Sequence, residues 1–118
     1  MSASNWFLTR KKAHDINEVT VTGTYTVRVG RTTDGHKFDT VVNVTDPSAN
    51  FTLTVPDGVY EGQELLVNLT SNSSSVTVTL SGTTGSFDGT LDAAGQYILG
   101  KWINSTVGWA SIKESVAS

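Results

Sequence analysis

From Glu18 onward the chain alternates apolar and polar residues with a period of two, the repeat of a strand that buries one face. Val19 and Val21 share a face. After a break at Gly23, Tyr25, Val27 and Val29 share one, and the glycine marks a bulge where the strand bends. Phe38 to Val44 predicts the next strand, after a polar connection whose turn is Asp34-Gly35. Asp46-Pro47-Ser48-Ala49 predicts another turn, because proline fixes φ and withdraws a donor. Phe51, Leu53 and Val55 then point inward along a strand that Pro56-Asp57-Gly58 ends.

Val59 to Gln63 reads as a glycine-containing crossover into the strand Glu64 to Leu69. The run Ser71-Asn72-Ser73-Ser74-Ser75 predicts a hairpin turn into Val76 to Leu80. A Gly/Thr loop over Ser81 to Ser86, a short strand around Phe87 to Leu91 and the turn Asp92-Ala93-Ala94-Gly95 follow. The last hairpin runs from Gln96 to Trp102, turns at Asn104-Ser105-Thr106 and returns through Val107 to Ile112. About eight strands with turns every 8–12 residues predict an all-β fold, a compact antiparallel β-sandwich or small β-barrel. No helical stripe exceeds two turns and no internal repeat of 20–50 residues is present. The expected organisation is an extended N-terminal arm over 1–17, one β domain over 18–113 and a short tail over 114–118.

Composition strengthens the class and narrows the function. Thr (18), Ser (13) and Val (14) dominate, and β-branched side chains suit a pleated surface. Charged residues make up 16% of the chain, well under the roughly 25% of ordinary domains. A length of 118 residues suits a single core. With no cysteine, disulfides, thiolate zinc sites and cysteine nucleophiles are excluded. The net charge of -3 argues against nucleic acid or an anionic membrane as a partner held by bulk charge. No apolar run approaches the ~18 residues of a span. The N-terminal basic cluster follows the apolar patch, the reverse of a secretory signal.

Residue chemistry points away from catalysis. His14 and His36 stand far apart with no metal-ligand spacing, and His36 near Asp34 reads as a solvated loop histidine. No Gly-x-Ser-x-Gly elbow occurs, and the glycine-rich stretch 82–89 lacks the lysine and helix of a phosphate loop. Asp57, Glu61, Asp88 and Asp92 are spaced like carboxylate pairs but read as turn residues, without a sugar cleft or a calcium loop around them. No cofactor or metal is expected. Trp102 and Trp109 flank the last turn as cross-strand neighbours. Asn43, Asn50, Asn68, Asn72 and Asn104 begin Asn-x-Ser/Thr sequons, which stay silent without export.

The block Phe51-Thr-Leu-Thr-Val-Pro-Asp-Gly-Val-Tyr-Glu-Gly-Gln-Glu-Leu-Leu-Val, the Val76 to Leu80 strand, the Leu91-Asp-Ala-Ala-Gly95 turn and the Trp-bearing hairpin from Tyr97 to Ile112 occur in a set order. That order resembles small β domains of tailed-bacteriophage virion proteins, over residues 51–112. The resemblance implies a homotrimeric virion structural protein without enzymatic activity. Lacking a long shaft or repeat, the chain is most similar to a head decoration (cement) protein on the outer capsid surface, with the major capsid protein as partner.

In that reading the arm is the clamp. Trp6, Phe7 and Leu8 are apolar anchors, and Arg10, Lys11 and Lys12 pair with acidic groups on the shell. The alternative is a receptor- or glycan-binding module of a tail or head fibre, in which Tyr60, Trp102 and Trp109 form a shallow platform for a host-surface glycan.

Overall fold

The computed structural model describes residues 17–30, 38–82, 84–85 and 87–116. It is all-β across these residues, with nine strands in two mixed sheets. In chain order they are β1 (Glu18–Val21), β2 (Tyr25–Thr26), β3 (Val41–Thr45), β4 (Phe51–Val55), β5 (Glu64–Ser71), β6 (Val78–Gly82), β7 (Gly89–Leu91), β8 (Tyr97–Trp102) and β9 (Trp109–Ser115). One sheet has the order β1-β3-β5-β8-β9 and the other β2-β4-β6-β7.

The expectation of antiparallel pairing is corrected for the first six strands. β1, β3 and β5 run parallel to one another, as do β2, β4 and β6. A parallel pair needs a long crossover to bring the chain back to its starting edge. Here a strand of the opposite sheet supplies each crossover, so the chain winds in three coils. Glu18 lies opposite Val41 and Val41 opposite Leu66, steps of 23 and 25 residues. Tyr25 lies opposite Leu53 and Phe51 opposite Val78, steps of 28 and 27. The chain thus has a structural period without a sequence repeat, because the corners differ in length and composition. Only β7, β8 and β9 return antiparallel.

Two local expectations change with this winding. Gly23 is a corner, not a bulge within one strand: β1 and β2 belong to different sheets, which raises the count to nine. The serine run after β5 is likewise no hairpin turn, since β5 and β6 lie in different sheets. Its geometry is set by Asn72, whose Nδ2 donates to Val76 O and Asp92 O at 2.9 Å while its Oδ1 accepts from Val76 N.

Alternation places Val42, Val44, Leu65, Val67, Leu69 and Ile98 from one sheet and Leu53, Val55, Val78, Leu80 and Leu91 from the other in one core. Each such side chain contributes about 1.5–3 kcal/mol when fully buried. Like stacks on like across the parallel pairs: Val19, Val42 and Val67 are register partners, as are Val21, Val44 and Leu69. Gly100 faces inward on β8, where a Cβ would come within 2.3 Å of the Phe87 ring. The missing side chain is what lets Phe87 enter the core, fully buried against the Trp109 ring at 5.3 Å.

Candidate functional site

Two parts of the resemblance, the Pro56 to Gln63 crossover and the tryptophan-bearing hairpin, meet at the end of the fold where β4 crosses to β5, while the Asp92–Gly95 turn packs against Leu69 and Asn72 at the other end of β5. Gly58 lies under Trp102, so close that a Cβ there would sit 2.3 Å from the indole Cγ. Trp102 and Trp109 are register partners on β8 and β9, with ring centroids 5.6 Å apart edge to face, as their flanking of the turn predicts. Trp109 Nε1 donates to Pro56 O at 2.9 Å. Gln63 is 1% exposed, and its side chain closes the crossover: Oε1 accepts from Val59 N, and Nε2 donates to Val29 O, each at 2.8 Å. Gly62, at φ +87°, makes the bend that turns Gln63 inward and donates its N–H to Trp102 O.

This packing removes the aromatic platform. Trp102 is 4% exposed and Trp109 1%, so neither offers a flat face to a sugar. Tyr60 remains exposed beside Phe38, their rings edge to face at 5.6 Å, on the same loop as exposed Val59. A platform needs several coplanar exposed rings, and the cross-strand pairing that brings the tryptophans together also buries them.

A second polar cluster was not legible in the sequence. Asp39 is 1% exposed. Its carboxylate accepts from Tyr25 Oη at 2.5 Å, Arg28 N at 2.9 Å and Asn17 Nδ2 at 3.3 Å. It ties the start of β1, the end of β2 and the approach to β3 into one knot. Burial of the phenol pushes the Tyr25 pKa up to about 12, and the Asp39 carboxylate beside it adds to the rise. At another corner, the Ser73 backbone N–H bonds the exposed Asp46 carboxylate and holds its pKa below the usual carboxylate range.

The sequon asparagines have structural roles in the corners and on the outer sheet face. Asn68 Nδ2 donates to Asn43 Oδ1 at 2.7 Å, and Asn43 Nδ2 donates onward to Glu18 Oε2. Asn50 Oδ1 accepts from Thr77 N, and Asn104 Oδ1 accepts from Thr106 N and Val107 N. Asp57, Glu61, Asp88 and Asp92 are exposed loop residues. No group of three or more His, Asp or Glu able to hold a metal occurs among the described residues. Trp6, Phe7, Leu8, Arg10, Lys11, Lys12 and His14, and likewise Asp34 and His36, lie outside the described residues.

The outer face of the five-stranded sheet carries a pattern that only the strand register exposes. One row across it reads Glu18, Val41, Leu66, Leu99, Lys113, from β1 to β9. The neighbouring row reads Thr20, Asn43, Asn68, Tyr97, Ser115. Val41, Leu66, Leu99 and Tyr97 are half-buried, while Glu18 and Lys113 are exposed.

Comparison with known protein families and with characterised proteins returns no match. The likeness to phage virion domains therefore rests on the residues quoted above.

Proposed function

We propose that the chain is a non-enzymatic virion structural protein, a decoration protein that sits as a trimer on the outside of an icosahedral head and braces the shell. One observation carries the reading: the residues of the resemblance are architectural. Gly58, Gln63, Trp102 and Trp109 close the molecule on itself, and neither of these two tryptophans presents a face to a ligand. The glycan alternative keeps Tyr60 alone of its three aromatics and is not carried further. We read the two sheets as layers of a β-sandwich, since each has two edge strands instead of closing into a barrel.

The body is a rigid base and residues 1–12 are the clamp. Trp6, Phe7 and Leu8 seat in an apolar recess of the major capsid protein, and Arg10, Lys11 and Lys12 meet acidic groups around it. Immobilising side chains at a contact costs entropy, and three arms on one trimer offset that cost through effective concentration. The test is co-sedimentation with expanded, undecorated heads. The full chain is expected to pellet with heads, whereas a chain starting at Ala13 stays folded and remains in the supernatant. Equal binding by the truncated chain would remove the clamp.

A further inference from the structure

We propose that the outer face of the five-stranded sheet is a self-complementary interface, onto which a second copy of this chain docks about a two-fold axis running along β5. The row Glu18, Val41, Leu66, Leu99, Lys113 has an acid at one end, a base at the other and three aliphatic residues between. A two-fold along β5 carries β1 over the β9 of the second copy. Glu18 then meets Lys113, Val41 meets Leu99, and Leu66 meets its own copy on the axis. In the next row the same operation sets Asn43 over Tyr97 and Asn68 over Asn68. The other in-plane two-fold, across the strands along this row, would set Glu18 on Glu18 and Lys113 on Lys113. The axis along β5 also sets Glu64 over Glu64, but there each carboxylate is paired with its own Lys101 at 3.6 Å. The other operator would set Glu18 and Lys113 on their copies with no counter-ion beside either among the described residues, so charge favours the axis along β5.

The polar groups flanking the aliphatic centre are suited to losing water. Asn68, Asn43 and Glu18 form a hydrogen-bonded chain, Thr45 bonds Thr70 between hydroxyls at 2.7 Å, and Lys101 pairs with Glu64 at 3.6 Å. Groups already partnered within their own chain cost less to desolvate than orphans. Lys113 makes no ion pair among the described residues, so its charge is available to the second copy. Acid and base balance along the row, so the face does not favour a partner of either net sign. Its own mirror order of charges is the match it carries. Sheets packed face to face keep their strands within about 30° of each other, so the rows stay aligned near the axis.

The inference is independent of the virion reading. With the two-fold alone the particle holds two chains, and with a trimer as well it holds six. Light scattering on the full chain is expected to give an even number of subunits, and Leu66→Arg is expected to halve it. Glu18→Lys and Lys113→Glu should each weaken the contact roughly tenfold, and the two together should restore it to near the starting affinity. A monomeric or trimeric native chain, a mass unmoved by Leu66→Arg, or a double swap no better than either single change would overturn the proposal. If Leu66→Arg loses its near-ultraviolet circular dichroism, the charge swaps decide, since both sites are exposed. Glu18→Gln, which keeps an acceptor for Asn43 while removing the charge, should weaken the contact as well. Head binding by an odd-numbered particle would sink the interface and spare the clamp; an even-numbered particle that ignores heads would do the reverse.

Discussion

Gln63 and Asp39 are the two polar side chains buried most deeply among the described residues, and each is matched to what it meets. Gln63 presents an acceptor to Val59 N and a donor to Val29 O, a pairing that only an amide satisfies at that spot. Gln63→Leu should lower stability by about 2 kcal/mol or more, since both partners lose their bonds in a dry site. Gln63→Glu should also destabilise, because it faces a carbonyl with a carboxylate oxygen. Urea midpoints at unchanged slope measure both. Tyr25 gives a pH signature. Its folded pKa of about 12 lies above the unfolded value of 10. The unfolded chain therefore releases the proton first, and stability falls as pH rises through that interval. The contribution is fully present below pH 10. Tyr25→Phe should flatten this part of the alkaline limb relative to the native chain, read from urea midpoints across the interval.

At the scale of elements, close approach decides what a position tolerates. Gly108, at φ +82°, and Gly85, at φ +92°, lie where Thr84 and Gly85 meet the β8–β9 turn, and a Cβ on Gly108 would sit 2.5 Å from the Thr84 backbone. Gly108→Ala must move main chain, whereas Gly100→Ala presses on the Phe87 ring. Overpacking of this kind costs about 1–3 kcal/mol, and Gly108→Ala should fall at the upper end because positive-φ strain adds to it. Thermal midpoints of the two variants measure the order. Most strands were legible because alternation marks a half-buried strand wherever it pairs. Alternation carries no direction, however, so the sequence could not show that Val42 pairs parallel with Val67. The serine run that reads as a hairpin turn is a corner between sheets for the same reason. Asp39 escaped notice because nothing nearby in sequence announces that Asn17 and Tyr25 will meet it. The last hairpin stood out because its two tryptophans pair locally.

For the molecule as a whole, winding makes the contacts non-local. Every parallel pair joins residues 23 or more positions apart, so loop closure precedes the reward of pairing. Refolding from urea is expected in the slow range of β proteins, milliseconds to seconds by stopped-flow fluorescence of the tryptophans. Truncation after Gln96 would remove β8 and β9, stripping Trp102 and Trp109 from the core and leaving β5 as a bare edge. That chain should aggregate, which turbidity after expression would reveal.

The strand order has a further consequence for the chain as it is made. In both sheets the strands lie in the order of synthesis, so each new strand is laid beside the latest in its sheet and none must be threaded between two already in place. A ribosome can therefore release the protein into its final pairing one strand at a time. The five-stranded sheet meanwhile keeps a sticky growing edge until the last strand emerges. That strand, β9, brings a register break opposite Leu99 and Gly100 and the charges of Lys113 and Glu114, features that discourage a tenth. Growth ends on the strand built to refuse another.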